Sequence, residues 1–138
     1  MGREDPLEKE TATLEKVRPG QDANNYSLVL RLNLNGSTFL HTGDITGIYE
    51  SYCTAPADLL KAAHHGSSAS TLSGYLSTVS PQAVILSCRH QSRLDAFRER
   101  CGDIPVYGTP ETGAVTIRFN EGSFSVTPFL SNNIPGGE

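Results

Sequence analysis

Two phrases decide the reading of this chain: Phe39-Leu40-His41-Thr42-Gly43-Asp44 and Asp58-Leu59-Leu60-Lys61-Ala62-Ala63-His64-His65-Gly66-Ser67. Each reads as an apolar strand that ends on a potential metal ligand. Strands that stop this way at neighbouring tips set a carboxylate beside an imidazole. Asp oxygen and His nitrogen both bind Zn²⁺, so the pattern suits a hydrolytic metal centre. Asp44 with one or both of His64 and His65 does not complete such a centre, because a catalytic zinc usually has three protein ligands.

Around these phrases the chain parses into short elements. Tyr26 to Leu34 alternates, with Leu28, Leu30, Leu32 and Leu34 on one face. Asn35-Gly36 follows, the dipeptide best suited to a tight type I′ hairpin turn, and Ser37 to Leu40 returns as the partner strand. A short helix is predicted over Ile48 to Cys53. Leu72, Tyr75, Leu76 and Val79 have helical spacing, ended by Pro81, and Ala83 to Leu86 reads as a buried strand. Ser92 with Asp95 resembles a capping box, opening a helix through Phe97 that stops at Gly102. Ala114 to Phe119 and Ser123 to Val126 form a second hairpin. Strands alternate with helices in the later part, so the class is α/β, a mixed β-sheet with flanking helices. Residues 1–23 read as a polar lead, disordered or a single edge strand. Residues 24–130 form the domain, and residues 131–138 have the composition of a disordered tail.

Composition narrows the function classes. The chain has 138 residues, 37% hydrophobic content and a net charge of −4. Such a length supports one domain with a real core. No basic stripe marks a general nucleic-acid binder. No apolar run approaches a membrane helix, so the chain as given is expected to be soluble. Cys53, Cys88 and Cys101 are odd in number and widely spaced, which predicts free and mostly buried thiols.

Several of these stretches also resemble a known family. They are Asn24 through Leu32, Thr42-Gly43-Asp44, Lys61 through Ser67, Val79 through Ser87, Val106-Tyr107-Gly108-Thr109 and Gly113-Ala114-Val115. Their order is similar to the C-terminal half of the metallo-β-lactamase-fold domain in the ComEC family of competence (DNA-uptake) proteins, over most of residues 14 to 127. The resemblance implies the second half of an αββα sandwich and a metal-dependent hydrolase acting on DNA. It implies Asp44 as a bridging metal ligand, His64 or His65 as a terminal one, and Asp44 with His65 as the catalytic pair. Zn or Mn is the implied ion in the parent domain, with none necessarily bound by this chain. The implied parent protein is associated with a bacterial plasma membrane. The fold's principal motif, His-x-His-x-Asp-His, does not occur in this sequence. The chain is therefore expected to be a fragment, inactive in isolation, whose partners are DNA and the missing N-terminal half. The loop between Ser87 and Leu94 is shorter than the family's and reduces to Arg89-His90-Gln91, so His90 is not counted among the ligands.

Each candidate also has a plainer reading. Asp44 could cap the helix near Ile48. Adjacent His64 and His65 would point to opposite faces of a strand, so at most one would reach a metal easily. Ser67, Ser68 and Ser70 would sit at a helix start, as phosphate-binding groups or as ordinary caps. His41 reads as a surface or packing residue, and Lys61 as a solvated edge lysine that could meet a phosphate. The alternative function is a non-catalytic structural or interaction domain. A half-sandwich would expose one sheet face, which predicts a homo-oligomer or edge-strand pairing.

Overall fold

The computed structural model describes residue 24 and residues 27–130. The polar lead and the tail lie outside the described residues. Five strands form one sheet in the order β1 (Leu30–Leu34), β2 (Ser37–His41), β3 (Leu59–Lys61), β4 (Ala83–Leu86) and β5 (Val106–Gly108). The first pair is antiparallel and the other three pairs are parallel. Asn35 and Gly36 both take positive φ, 50° and 85°, as a type I′ turn requires. The sheet is therefore mixed and the class α/β, as the alternation of elements predicts.

Parallel neighbours need crossovers, and these carry the helices α1 (Gly47–Glu50), α2 (Ser73–Val79) and α3 (Gln91–Cys101). Tyr75, Leu76 and Val79 of α2 and Leu94, Phe97 and Cys101 of α3 pack on Leu40, Leu60, Val84, Leu86 and Val106 of the sheet. Full burial of a Leu or Phe contributes roughly 1.5–3 kcal/mol, and Leu94 and Phe97 are completely enclosed. The opposite face carries the hairpin β6 (Val115–Asn120) and β7 (Ser123–Pro128). Val115, Ile117, Phe119, Phe124 and Val126 lie over Phe39, Leu59, Ala83, Ile85 and Tyr107. The two hairpin tips meet where Gly122 N–H donates to the Asn35 carbonyl at 2.7 Å. Leu30, Leu32 and Leu34, predicted to share a face, are only half-buried at the sheet's edge. Cys53 and Cys101 are buried, Cys88 is half-buried, and none of the three is in a disulfide.

Three local expectations are corrected. The first strand enters its ladder at Leu30 rather than Tyr26. The first helix is a single turn that ends before Cys53. The third helix starts at Gln91 with His90 before it, so Ser92 caps nothing, and Asp95 instead accepts a bond from the Gln91 side chain at 2.9 Å.

A further one-turn helix, α4 (Thr109–Thr112), follows β5. Its Glu111 takes a two-pronged bond from Arg98 of α3 at 2.6 and 2.7 Å. That bond holds the Glu111 carboxyl below the usual carboxylate range. A lowered value means the pair stabilises the fold fully above the unfolded group's pKa and progressively less as pH falls through the folded value. Glu111→Gln should cost about 1 kcal/mol at neutral pH. Urea titrations should show the gap to the wild type closing in acid, and a gap independent of pH would refute this role.

Candidate functional site

The site is built at the carboxyl ends of the parallel strands, where open α/β sheets place their ligands. β2 and β3 run in parallel register with His41 opposite Lys61, so the two decisive phrases leave the sheet at the same level. Thr42, fully buried, donates from Oγ1 to the Lys61 carbonyl at 2.7 Å. Gly43 then turns with φ +56°, where an added Cβ would lie 2.8 Å from the Ser27 Cβ. Asp44 N–H donates to Ser27 Oγ at 3.0 Å, which sets the carboxylate's direction. Asp44 does not cap α1: Thr46 occupies that position, without a side-chain cap bond.

The histidines are not in a strand. β3 ends at Lys61, and His64–Gly66 form one 3₁₀ turn. His64, His65 and Gly66 all take left-handed φ, at 48°, 53° and 75°. Left-handed conformation at two successive non-glycine residues is costly, and such outliers cluster at functional sites. His64 N–H donates to the Gly43 carbonyl at 3.0 Å, tying the two phrases together. The strand-based expectation of opposite faces is thus replaced by ring centroids 6.4 Å apart on one turn.

His65 is the histidine that meets Asp44, with Nε2 3.8 Å from Oδ1. Its Nδ1 lies 2.9 Å from the Ser87 carbonyl. A carbonyl only accepts, so Nδ1 carries the proton and Nε2 presents its lone pair beside the carboxylate. The Ser87 carbonyl is fixed in turn, because Thr109 Oγ1 accepts from Cys88 N–H at 3.0 Å and donates to the Cys88 carbonyl at 2.8 Å. His64 Nδ1 is buried without a hydrogen-bond partner among the described residues.

A buried polar brace stands behind the turn. Glu50 accepts from the backbone N–H of Thr71 and, at 3.3 Å, of Leu72. Burial pushes its carboxyl above the usual range. Thr71 Oγ1 accepts from Ala63 N–H at 2.9 Å, next to His64. Arg100 caps the carbonyls of Ser67, Ser70 and Thr71. Glu50, Thr71, Ser87, Arg100 and Thr109 went unread as site residues, since neither a carbonyl partner nor a buried brace leaves a spacing pattern.

The other candidates fall outside the pair. Ser67, Ser68 and Ser70 precede α2, which begins at Ser73, and Ser70 is buried with its hydroxyl donating to the Ile45 carbonyl. Lys61 lies on the central strand, not an edge, and burial lowers its pKa while nearby Asp44 opposes that shift. His41 is half-buried and accepts from Gly43 N–H, with its pKa lowered by burial first and by Lys61 second. His90, left aside in the sequence, lines a cleft of about 610 Å³ together with His64, His65, Arg89 and Arg93.

Asp44 and His65 suit a metal ion in donor type and tautomer. They do not suit one in number: among the described residues no three His, Cys, Asp or Glu converge on a common point. No helix among the described residues is long and apolar enough to cross a membrane.

No family model matches the sequence. ComE operon protein 3 of Bacillus subtilis (strain 168) is 30% identical over 120 residues, covering 76% of this chain. The chain is related to ComE operon protein 3. It spans 15% of that relative's length. Wherever a stretch of that share falls in the chain, it spans Asp44, His64, His65 and the residues that line the cleft.

The turn at Gly43 positions Asp44, and Gly43→Ala tests it. A left-handed alanine against Ser27 should lower stability by roughly 1–3 kcal/mol, read from the urea midpoint. An unchanged midpoint would mean that the turn tolerates a side chain and does not constrain Asp44.

Proposed function

We propose that this chain carries one side of a metal-dependent hydrolase site that acts on DNA phosphodiester bonds, within a competence DNA-uptake protein. The observation that carries the reading is the Asp44–His65 pair, 3.8 Å apart with Nε2 facing the carboxylate. The relation to ComE operon protein 3 supports the placement in a competence DNA-uptake protein. In this reading the chain is the second half of a metallo-β-lactamase αββα sandwich, and Zn or Mn is the ion. The remaining ligands come from a His-x-His-x-Asp-His segment outside these residues, and the parent protein works at a bacterial plasma membrane. The half-buried leucines of β1 and the exposed Leu28 mark the sheet edge where further chain, or a second copy, would pack.

When bound, the ion would act as a Lewis acid and lower the pKa of a coordinated water. The chain's own residues prepare for that. His65 donates Nδ1–H to the Ser87 carbonyl, which orients the ring and makes Nε2 the better ligand. Asp44 contributes an anionic oxygen at the same point, held by Ser27 and the Gly43 turn. His64, on the same turn, has a buried Nδ1 that a further ligand or partner group would satisfy.

Metal binding and cleavage test the reading together. Removing even a residue that only orients a ligand costs roughly 10–100-fold in affinity, so Asp44→Ala and His65→Ala should each weaken Zn²⁺ binding at least that much. The chain alone should not cut linear DNA with Mn²⁺, whereas adding the polypeptide that carries the His-rich motif should yield EDTA-sensitive cleavage. Robust cleavage by the chain alone would sink the half-site. No metal binding and no rescue would favour a non-catalytic structural or interaction domain.

A further inference from the structure

We infer that the cleft beyond β3 and β4 is a phosphate-binding subsite, in which Arg89 and Arg93 hold the backbone of a nucleic acid strand beside Asp44 and His65. The choice of ligand rests on the hydrolase reading above, whereas anion binding at this cleft does not need the metal.

Charge is the first argument. The chain carries a net charge of −4, yet the cleft is lined by Arg89, Arg93 and three histidines, with no acidic side chain among its described lining residues. The carboxylates nearest along α3 and α4 are already engaged: Asp95 accepts from Gln91, and Glu111 accepts from Arg98 and Gln91. They do not neutralise the wall.

The arginines themselves are the second argument. Arg31 donates to the Pro56 carbonyl, Arg98 binds Glu111 and the Val106 carbonyl, and Arg100 caps three carbonyls. Among the described residues, the guanidinium groups of Arg89 and Arg93 donate no hydrogen bond and close no ion pair. Planar donor forks left open in a concave wall match the oxygens of a phosphodiester.

Placement is the third. Gly66 brings the Arg93 stem onto the histidine turn: an added Cβ there would lie 3.6 Å from Arg93 Cγ and 3.0 Å from Leu86 Cδ1. Arg93 therefore shares a wall with His64 and His65. The cleft also faces the start of α3, an 11-residue helix with no side-chain cap and no acidic residue in its first turn, where free N–H groups and the dipole favour an anion. A strand seated on the arginines would pass the Asp44–His65 pair at the adjoining end.

The test uses the full chain in EDTA, so that binding is read without metal or cleavage. Fluorescence anisotropy would follow a labelled single-stranded oligodeoxynucleotide of about 12 nucleotides, within the usual span of a single-strand groove. Affinity should fall steeply with salt. The Arg89→Ala/Arg93→Ala double variant should bind roughly tenfold or more weakly, the scale of one or two lost charged contacts. Arg118→Glu, the same two-unit charge change on the distant β6–β7 hairpin, should leave affinity within about twofold, since remote charge is largely screened. Arg89 is exposed and Arg93 is at the surface, so circular dichroism and the melting midpoint should not move. Equal losses in the double variant and Arg118→Glu would overturn the subsite as mere net charge. Equal binding of an oligoglutamate, or inorganic phosphate alone entering the cleft with no strand binding, would overturn the nucleic acid assignment. Strand binding that depends on Arg89 and Arg93, with no cleavage even after metal and the polypeptide carrying the His-rich motif are added, would leave the subsite standing and the hydrolase reading refuted.

Discussion

The backbone hydrogen bond from His64 N–H to the Gly43 carbonyl, 3.0 Å long, is the contact on which the site depends. It exists because β2 and β3 are parallel neighbours that end in register, His41 opposite Lys61. Both chains then turn at once, Gly43 with φ +56° and His64–Gly66 with three left-handed residues in a row. A slip of one residue in that register would send Asp44 and His65 to opposite sides of the sheet. Parallel pairing in turn requires the helices of the crossovers, so the packing of α2 and α3 on one face is what keeps the strand tips level.

Holding that turn has a cost, and the fold shows how it is met. Left-handed non-glycine residues cost roughly 1–2 kcal/mol each, and the turn contains two. Opposing this are Thr71, bound to Ala63; Glu50, bound to the backbone of Thr71 and Leu72; and Arg100, bound to the carbonyls of the following loop. Net hydrogen bonds contribute about 1 kcal/mol apiece, and those to charged groups more. A handful of such bonds therefore suffices to retain the strained geometry. Burying the Glu50 carboxylate raises its pKa, the sign expected where desolvation outweighs the bonds it accepts.

Much of the fold was legible because the local signals agreed with the global one. Asn35-Gly36 turned as its chemistry demands, and Tyr75, Leu76 and Val79 faced the core at helical spacing. Where prediction failed, tertiary partners had overridden a local pattern. Ser92 looked like a cap, but α3 begins one residue earlier, where the chain leaves the loop pinned by Thr109. Lys61 looked like an edge lysine because a three-residue strand carries no sign of its place in the sheet, and it proved central. His90 was set aside because its loop is short, yet it and Arg89 stand on the wall of the cleft, a placement that only the packing of α3 beside the histidine turn decides.

By itself the sequence determined the elements, the α/β class and the phrases ending on Asp44 and His64-His65, since these follow from periodicity, turn chemistry and side-chain type. Which histidine meets the aspartate was decided only in three dimensions. In a strand the two would diverge, but in the left-handed turn His65 swings to Asp44 while the Ser87 carbonyl, 22 residues further along, sets its tautomer. That carbonyl and the strand register that delivers it are long-range facts, and no local pattern in the chain records them.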